Sequence, residues 1–287
     1  MSVATIIKFD SPDASGLVAR ITGCIAQHGG NLIEVSQYTD IASRWFFARL
    51  AVEGTPSWRR EAFAADFARL AADCKANCAM HPTDYRMPTV IMVSKQDHCL
   101  ADLLWRWRAG ELPIDIRAVV ANHDDCRAIV ERENIPFHKI DFTAFPPADK
   151  ETAFSRAAAI IHACGAELVV LARFMQILPS WLCDRYRGSI INIHHSFLPA
   201  FVGANPYRRA FERGVKLIGA TCHYATQDLD AGPIIDQQVI PVEHYHDPDD
   251  LSRLGRDCER LALARGVRYH AQVRVLIHGT RAIVFRD

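Results

Sequence analysis

The chain has 287 residues, 49% of them hydrophobic and 23% charged, and its 33 basic and 33 acidic side chains cancel. That balance suits a globular chain of one large or two unequal domains with ample core, and it argues against a nucleic-acid partner, for which a basic stripe is expected. No apolar run reaches bilayer-spanning length, and the start, MSVATIIKFDSPD, lacks the basic n-region and long apolar core of a secretory leader, so a cytoplasmic protein (or one of an organelle interior) is expected.

The first 85 residues read as strand, helix, strand, strand, helix, strand. A short apolar strand over 3–9 is followed by a helix over 16–28 whose Leu17, Ile21, Cys24 and Ile25 share one face. Gly29-Gly30-Asn31 stops that helix. Strands are predicted over 32–39 and 44–52, then a helix over 57–73 carrying Phe63, Phe67 and Leu70, then a strand over 76–82. This order is the split βαβ pattern. The polar, proline-bearing stretch HPTDYRMP marks a boundary, giving domains 1–85 and 86–287.

Beyond it the rhythm becomes alternating. Strands are predicted over 89–94, 114–122, 136–140, 167–173 and 189–194, with helices over 98–108, 124–132 and 150–164 between them. Val- and Ile-rich runs separated by helices indicate a doubly wound α/β domain with a mainly parallel sheet covered on both faces. A helix over 206–213, strands over 216–224 and 232–240, and a long helix from about 248 to 275 complete the reading.

Nine cysteines, an odd number lying mostly in apolar segments, read as reduced thiols rather than a disulfide framework. Cys74, Cys78 and His81 form the densest group, but the fourth ligand and paired spacing of a structural zinc site are missing. In EHYHDPDD, residues 243–250, His244, His246 and Asp247 lie close together; a loop leading into a helix with Asp in its first turn reads as N-terminal capping, and no metal is expected.

One strand ends in chemistry that a core does not need. IINIHHSFLP, residues 190–199, places Asn192 and His194 two apart, on the same side of an extended backbone. Ligands of open α/β sheets bind beyond the carboxyl ends of strands. Further on, DLDAGPII offers Asp230 before a Gly-Pro turn. The three suit attack of water on an acyl carbon: Asn192 donates to the developing oxyanion, Asp230 orients or deprotonates water, and His194 protonates a leaving nitrogen. A polar cluster that only caps neighbouring loops is the plainer alternative.

The segment 192–240, with its Asn-x-His-x-Ser-x-Leu-Pro and Asp-x-Gly-Pro-Ile motifs, closely resembles the core of folate-dependent formyltransferases. VSKQDHCLADLLWRWRAGELP, LARFMQILP and the doubled His194-His195 make the chain look like the formyltetrahydrofolate deformylases of that superfamily, over essentially its whole length. The resemblance implies a Rossmann-like formyltransferase fold, with Asn192, His194 and Asp230 catalytic and no cofactor beyond the folate substrate. It implies that Arg173, Phe174, Met175, Gln176, Ile177 and Leu178 line a pterin pocket, although these residues alone also read as a buried strand end and its loop. Ser196 joins them from the motif. His223 is brought near, either behind the site or simply packed. The reaction would belong to one-carbon metabolism, with purine formate supply, folate balance and one-carbon catabolism all open as its purpose.

A related transferase, glycinamide ribonucleotide formyltransferase, holds a phosphorylated acceptor at a Gly-rich turn. Here the corresponding turn, Ser94 to Cys99, has no glycine and carries Asp97, so water becomes the expected acceptor. Transfer to a non-phosphorylated acceptor and a non-catalytic folate or amino-acid sensor are the competing readings, and within enzymes a metallohydrolase. The first domain resembles an ACT domain, which implies a dimer or tetramer and an amino-acid effector near Asp13, Gly16 and Asn31; the same residues also read as a helix N-cap and a helix stop.

Overall fold

The computed structural model describes residues 4–142, 147–199 and 206–287. Val3, at the start of the first expected strand, and Ala200 to Asn205, within the motif region, lie outside the described residues. The chain divides into two compact units, one of residues 1–85 with 272–276 and 283–287, the other of 86–271 with 277–282.

The first unit contains β1 (Thr5–Pro12), α1 (Leu17–Gln27), β2 (Gly30–Asp40), β3 (Trp45–Gly54), α2 (Arg60–Asp73) and β4 (Asn77–Pro82). Its sheet runs β2-β3-β1-β4 with every pairing antiparallel. Leu17, Ile21 and Ile25, spaced one turn apart, pack with Phe63, Phe67 and Ala71 of α2 against Ile7, Phe9, Leu50 and Val52 of the sheet. Gly16 precedes α1 with φ 83°, in the left-handed region that glycine tolerates, and no side chain caps the helix. Asp13 is therefore not the N-cap that the sequence allowed. Arg49, 3% exposed, pairs with Glu34 at 2.9 Å and donates to the Gln272 carbonyl, while Arg274 reaches Glu34 at 3.2 Å. These ties attach the end of the chain to the first unit, whereas the sequence assigned all of 86–287 to the second.

The second unit begins with β5 (Met87–Val93), α3 (His98–Arg108), β6 (Ile114–Ala121), α4 (Arg127–Glu131), β7 (Phe137–Lys139) and α5 (Pro147–Ala163). It continues through β8 (Leu168–Ala172), α6 (Ser180–Arg185), β9 (Ile190–His194), α7 (Pro206–Arg213), β10 (Leu217–Tyr224), β11 (Ile234–Pro241) and α8 (Pro248–Ala271). A short pair, β12 (Val275–His278) and β13 (Arg281–Val284), ends the chain. Three expectations change here. The helix expected over 124–132 is the single turn and a half of α4, α6 was not anticipated, and the last helix stops at Ala271 rather than 275.

The seven-stranded sheet has the order β11-β10-β9-β8-β5-β6-β7. β5 to β9 are parallel, and β10 and β11 add on antiparallel. The strand order reverses between β5 and β8, the switch point at which a crevice opens beyond the strand ends. On one face Val90, Met92, Val120, Val169 and Leu171 pack with Phe154, Ala157 and Ile161 of α5. β8 and most of β5 and β9 are buried, as a two-sided sheet requires. Among the described residues no helix is long and apolar enough to cross a membrane.

Candidate active site

β9 delivers Asn192 and His194 to its carboxyl end, and β10 runs antiparallel beside it with His223 directly across from Asn192. Asp230 comes from the loop between β10 and β11. That loop turns tightly because Gly232 lies against β10: a Cβ there would meet the Tyr224 carbonyl oxygen at 1.8 Å. Asp230 takes φ 56° and its carboxylate Oδ2 lies 3.1 Å from His194 Nδ1. The Nδ1–H donates, so Nε2 is left to act; it is buried and has no partner in the structure. Although burial opposes ionisation, the hydrogen bond and charge of His194 hold the Asp230 carboxyl below its ordinary range.

His223 sits behind this group and is 2% exposed. Its Nδ1 lies 2.9 Å from the Tyr224 carbonyl oxygen, which can only accept, so Nδ1 carries the proton. Nε2 is then an acceptor, and it receives the Asn192 Nδ2–H at 3.1 Å. The imidazole is held neutral chiefly by burial, which lowers its pKa. The arrangement fixes which end of the Asn192 amide is nitrogen and leaves its second N–H for an oxygen in the cleft.

The cleft has a volume of about 520 Å³, within the range of small-molecule sites. Asn192, His194 and Asp230 line it together, as do Arg173, Met175, Gln176 and Ile177 from the loop after β8. Met175 and Ile177 are 58% and 64% exposed, apolar surface suited to a flat ring. Phe174 also borders the cleft but sets its ring edge-on to Phe142 in the core. Arg173, Met175 and Asp230 all have left-handed φ, of 62°, 60° and 56°. Each costs on the order of 1 kcal/mol without glycine, and their concentration around one cleft marks where the fold tolerates strain.

Not every expected binding residue reaches the cleft. Leu178 packs against the α5 side of the core. Ser196 is buried, and its carbonyl accepts from the Thr221 hydroxyl at 2.9 Å. In the first unit Asp13 and Gly16 share a shallow pocket with Gln37 and Tyr38, but Asn31, toward the other end of β2, does not line it.

The sequence reading missed a second polar group in the same cleft. Glu259, 1% exposed on α8, accepts from His98 Nε2 at 2.7 Å and from the Tyr207 hydroxyl at 2.7 Å, and lies 3.4 Å from Arg173 Nε. Tyr207 comes this close because Gly255, one turn earlier, has no Cβ; one there would sit 2.1 Å from the phenol ring. Burial disfavours the Glu259 charge, yet His98, Arg173 and Tyr207 together keep its carboxyl below the usual range. Gln96 Oε1 accepts from Arg173 Nε at 3.0 Å. The signal was present in the helix period: Glu259 is in phase with Leu251, Gly255, Ala262 and Gly266 on the buried face of α8.

His98 and Glu259, with Cys99, are the one described group of three side chains close enough to share an ion. His98 Nε2 is engaged by Glu259, whose other oxygen accepts from Tyr207, and burial and Glu259 push the Cys99 thiol well up. Cys74, Cys78 and His81 are not gathered, nor are His244, His246 and Asp247. Asp247 instead caps α8, accepting from the Asp250 N–H at 2.8 Å while Asp250 returns the bond at 3.3 Å. His195 stacks beside His194 with ring centroids 5.2 Å apart, and burial, Arg173 and His194 lower its pKa to about 4.

The doubly wound sheet with an Asn, His and Asp gathered at its strand ends falls in the formyl transferase class, since residues 87–267 match that family. The likeness to one relative extends further: a formyltetrahydrofolate deformylase of Synechocystis sp. is 46% identical over 276 residues, 96% of this chain and 95% of the relative. The chain belongs to the formyltetrahydrofolate deformylase family. The crystal structure of a formyltetrahydrofolate deformylase from Pseudomonas syringae pv. tomato superposes with a TM-score of 0.94 at 42% identity, covering 100% of this chain and 96% of its own. A glycinamide ribonucleotide transformylase of Symbiobacterium toebii reaches a TM-score of 0.67 at 27% identity and covers 72% of this chain and 97% of its own.

Proposed function

We propose that the chain hydrolyses 10-formyltetrahydrofolate to formate and tetrahydrofolate. The observation that carries this reading is the Asn192–His194–Asp230 group, which lines the cleft with its side chains oriented by one another and by His223 and with His194 Nε2 left unpartnered. The pterin lies against Met175 and Ile177. Asn192 donates its free N–H to the formyl oxygen as charge develops there. Asp230 and His194 orient the attacking water and accept its proton as the new C–O bond forms. His194 Nε2 delivers a proton to N10 as the C–N bond breaks, with Asp230 stabilising the imidazolium in between. Formate and tetrahydrofolate leave.

Water is the acceptor because the turn before α3 is occupied. The turn, Ser94 to Cys99, has no glycine to let a phosphate approach its backbone, Asp97 at the start of α3 sets a carboxylate against an anion there, and the Gln96 and His98 side chains are engaged by Arg173 and Glu259. The purified protein should release formate from 10-formyltetrahydrofolate with no amine added. Efficient formylation of glycinamide ribonucleotide, with formate only a minor leak, would overturn the reading.

The nine free cysteines fit a reducing compartment such as the cytoplasm. The ACT-like reading of the first unit assigns it self-association, since the edge strand β2 carries exposed Ile33 and Val35, and assigns the Asp13–Gly16 pocket an amino-acid effector. Sedimentation with and without a panel of amino acids tests both; a monomer at micromolar concentration under every condition would end this assignment.

A further inference from the structure

Arg173 is placed at some cost. Its backbone takes φ 62°, its side chain is nine-tenths buried, and its guanidinium is pinned at Nε by Gln96 and Glu259. Nη1 is buried and has no hydrogen-bond partner. Leaving a charged N–H unsatisfied costs more than an ordinary lost hydrogen bond, so the position is explained if something fills it during turnover. Nε is already engaged by Gln96 and Glu259, Tyr207 in turn fixes Glu259, and Arg173 lines the same cleft as His194 and Asp230. The cation has no anion to itself: Glu259 is shared with His98 and Tyr207. Arg208 and Arg256 also border the cleft, so its positive side chains outnumber Asp230 and Glu259.

We infer that Arg173 Nη1 is the docking point for the small carboxylate that the reaction produces, a formate subsite beside the Asn192–His194–Asp230 group. The inference rests on the hydrolytic reading of that group. A guanidinium N–H suits a carboxylate oxygen and repels an ammonium group. The same atom therefore favours the hydrated, carboxylate-like end of the reaction and disfavours an amine as acceptor. Product formate should compete for this position and inhibit turnover.

The test uses the full chain and sodium formate, with sodium chloride at equal ionic strength as the control. Carbon-13-labelled formate should bind the wild type saturably, and the Arg173→Gln variant should weaken that binding at least about tenfold, as loss of a charge-assisted hydrogen bond does. In the same variant kcat should fall while the folate KM changes less than about threefold. Wild type that hydrolyses the folate but binds no formate, or a folded Arg173→Gln protein that binds it as well as wild type, would overturn the inference. Should Arg173→Gln prove unfolded by circular dichroism, Arg173→Lys replaces it: it keeps the charge without the planar fork, and unchanged formate affinity there counts against the subsite. Saturable formate binding that depends on Arg173, in a protein that releases no formate from the folate, would sink the hydrolytic reading and leave the anion site standing.

Discussion

Two polar groups share one cleft and differ in what their atoms are doing. In the Asn192–His194–Asp230 group, bonds among the members orient the side chains but leave His194 Nε2 unpartnered and a donor of Asn192 free. In the Glu259 group, His98, Tyr207 and Arg173 consume both carboxylate oxygens, and among the fully buried atoms described there Arg173 Nη1 stays unpartnered. The first is a set of orienting bonds around open valences; the second is a closed network that holds one donor still. Burial alone does not separate them, since His194 is 5% exposed and Glu259 is 1% exposed. The unspent atoms do.

The largest effect should come from the open group. Asp230→Asn or His194→Ala should lower formate release by about a thousandfold or more, as loss of an oriented acid–base partner does in acyl transfer. Neither change should move the thermal midpoint by more than a few degrees. A variant with near-normal turnover would show that these residues only cap neighbouring loops.

The closed group should answer in stability first. Glu259→Gln removes the charge that compensates a buried guanidinium, and breaking such a pair costs about 3 kcal/mol. For a chain of this size that corresponds to a midpoint lowered by roughly 6–12 °C. Calorimetry of Glu259→Gln beside Asp230→Asn puts the contrast directly: a midpoint as high as wild type in the Glu259 variant would mean that its network is dispensable.

The sequence displayed the open group and hid the closed one. Asn192 and His194 break a strand pattern at a strand end, where polar chemistry stands out against Ile190, Ile191 and Ile193. Glu259 lies in a helix already rich in charge, as one Glu among ERLALAR, and only its phase with Gly255 and Gly266 marks it. His223 was ambiguous because β10 is buried at seven of its eight positions, so alternation carries no information there. The parallel sheet followed from its Val and Ile runs. The end of α8 did not, because HAQVRVLIH has no Gly or Pro to stop a helix before Gly279, and the chain turns instead at Val273 with φ 56°. The short α6 and the β12–β13 pair fall below the length at which periodicity speaks.

The neighbouring histidines sharpen the comparison through pH. In the folded protein His195 binds its proton near pH 4, because burial, Arg173 and His194 disfavour the cation; in the unfolded chain it binds near pH 6.5. Between those values the unfolded state carries more protons, so stability falls as pH falls, by about 2 kcal/mol from pH 7 to pH 5. Asp230, with its depressed pKa, acts in the same direction at lower pH: its contribution is present above the ordinary carboxylate value and lost as pH drops through the folded one. Denaturant titrations at pH 7 and 5 should show the loss, and His195→Gln should remove its own share, while the buried His223, whose pKa is also lowered, keeps part of the slope in the variant. An equal slope in the variant would assign the pH dependence elsewhere.

The smallest expected effect tests whether an orienting residue can be told from a structural one. His223 touches no open part of the cleft; it acts on Asn192 through one hydrogen bond, and the Tyr224 carbonyl dictates that its Nε2 accepts. Without an acceptor there, the Asn192 amide is free to present either its oxygen or its nitrogen to the formyl group, and an oxygen facing the developing oxyanion repels it. His223→Phe should therefore lower kcat by about tenfold, one well-placed donor used part of the time, while the folate KM stays near wild type. His223→Gln offers a side-chain oxygen that can accept from Asn192 Nδ2, and should restore part of kcat. If His223 were only filler, Phe, the closer match in shape, would be the milder change and Gln the worse one. Steady-state kinetics of the two variants decides by their order: Gln above Phe supports orientation of Asn192, and Phe above Gln refutes it.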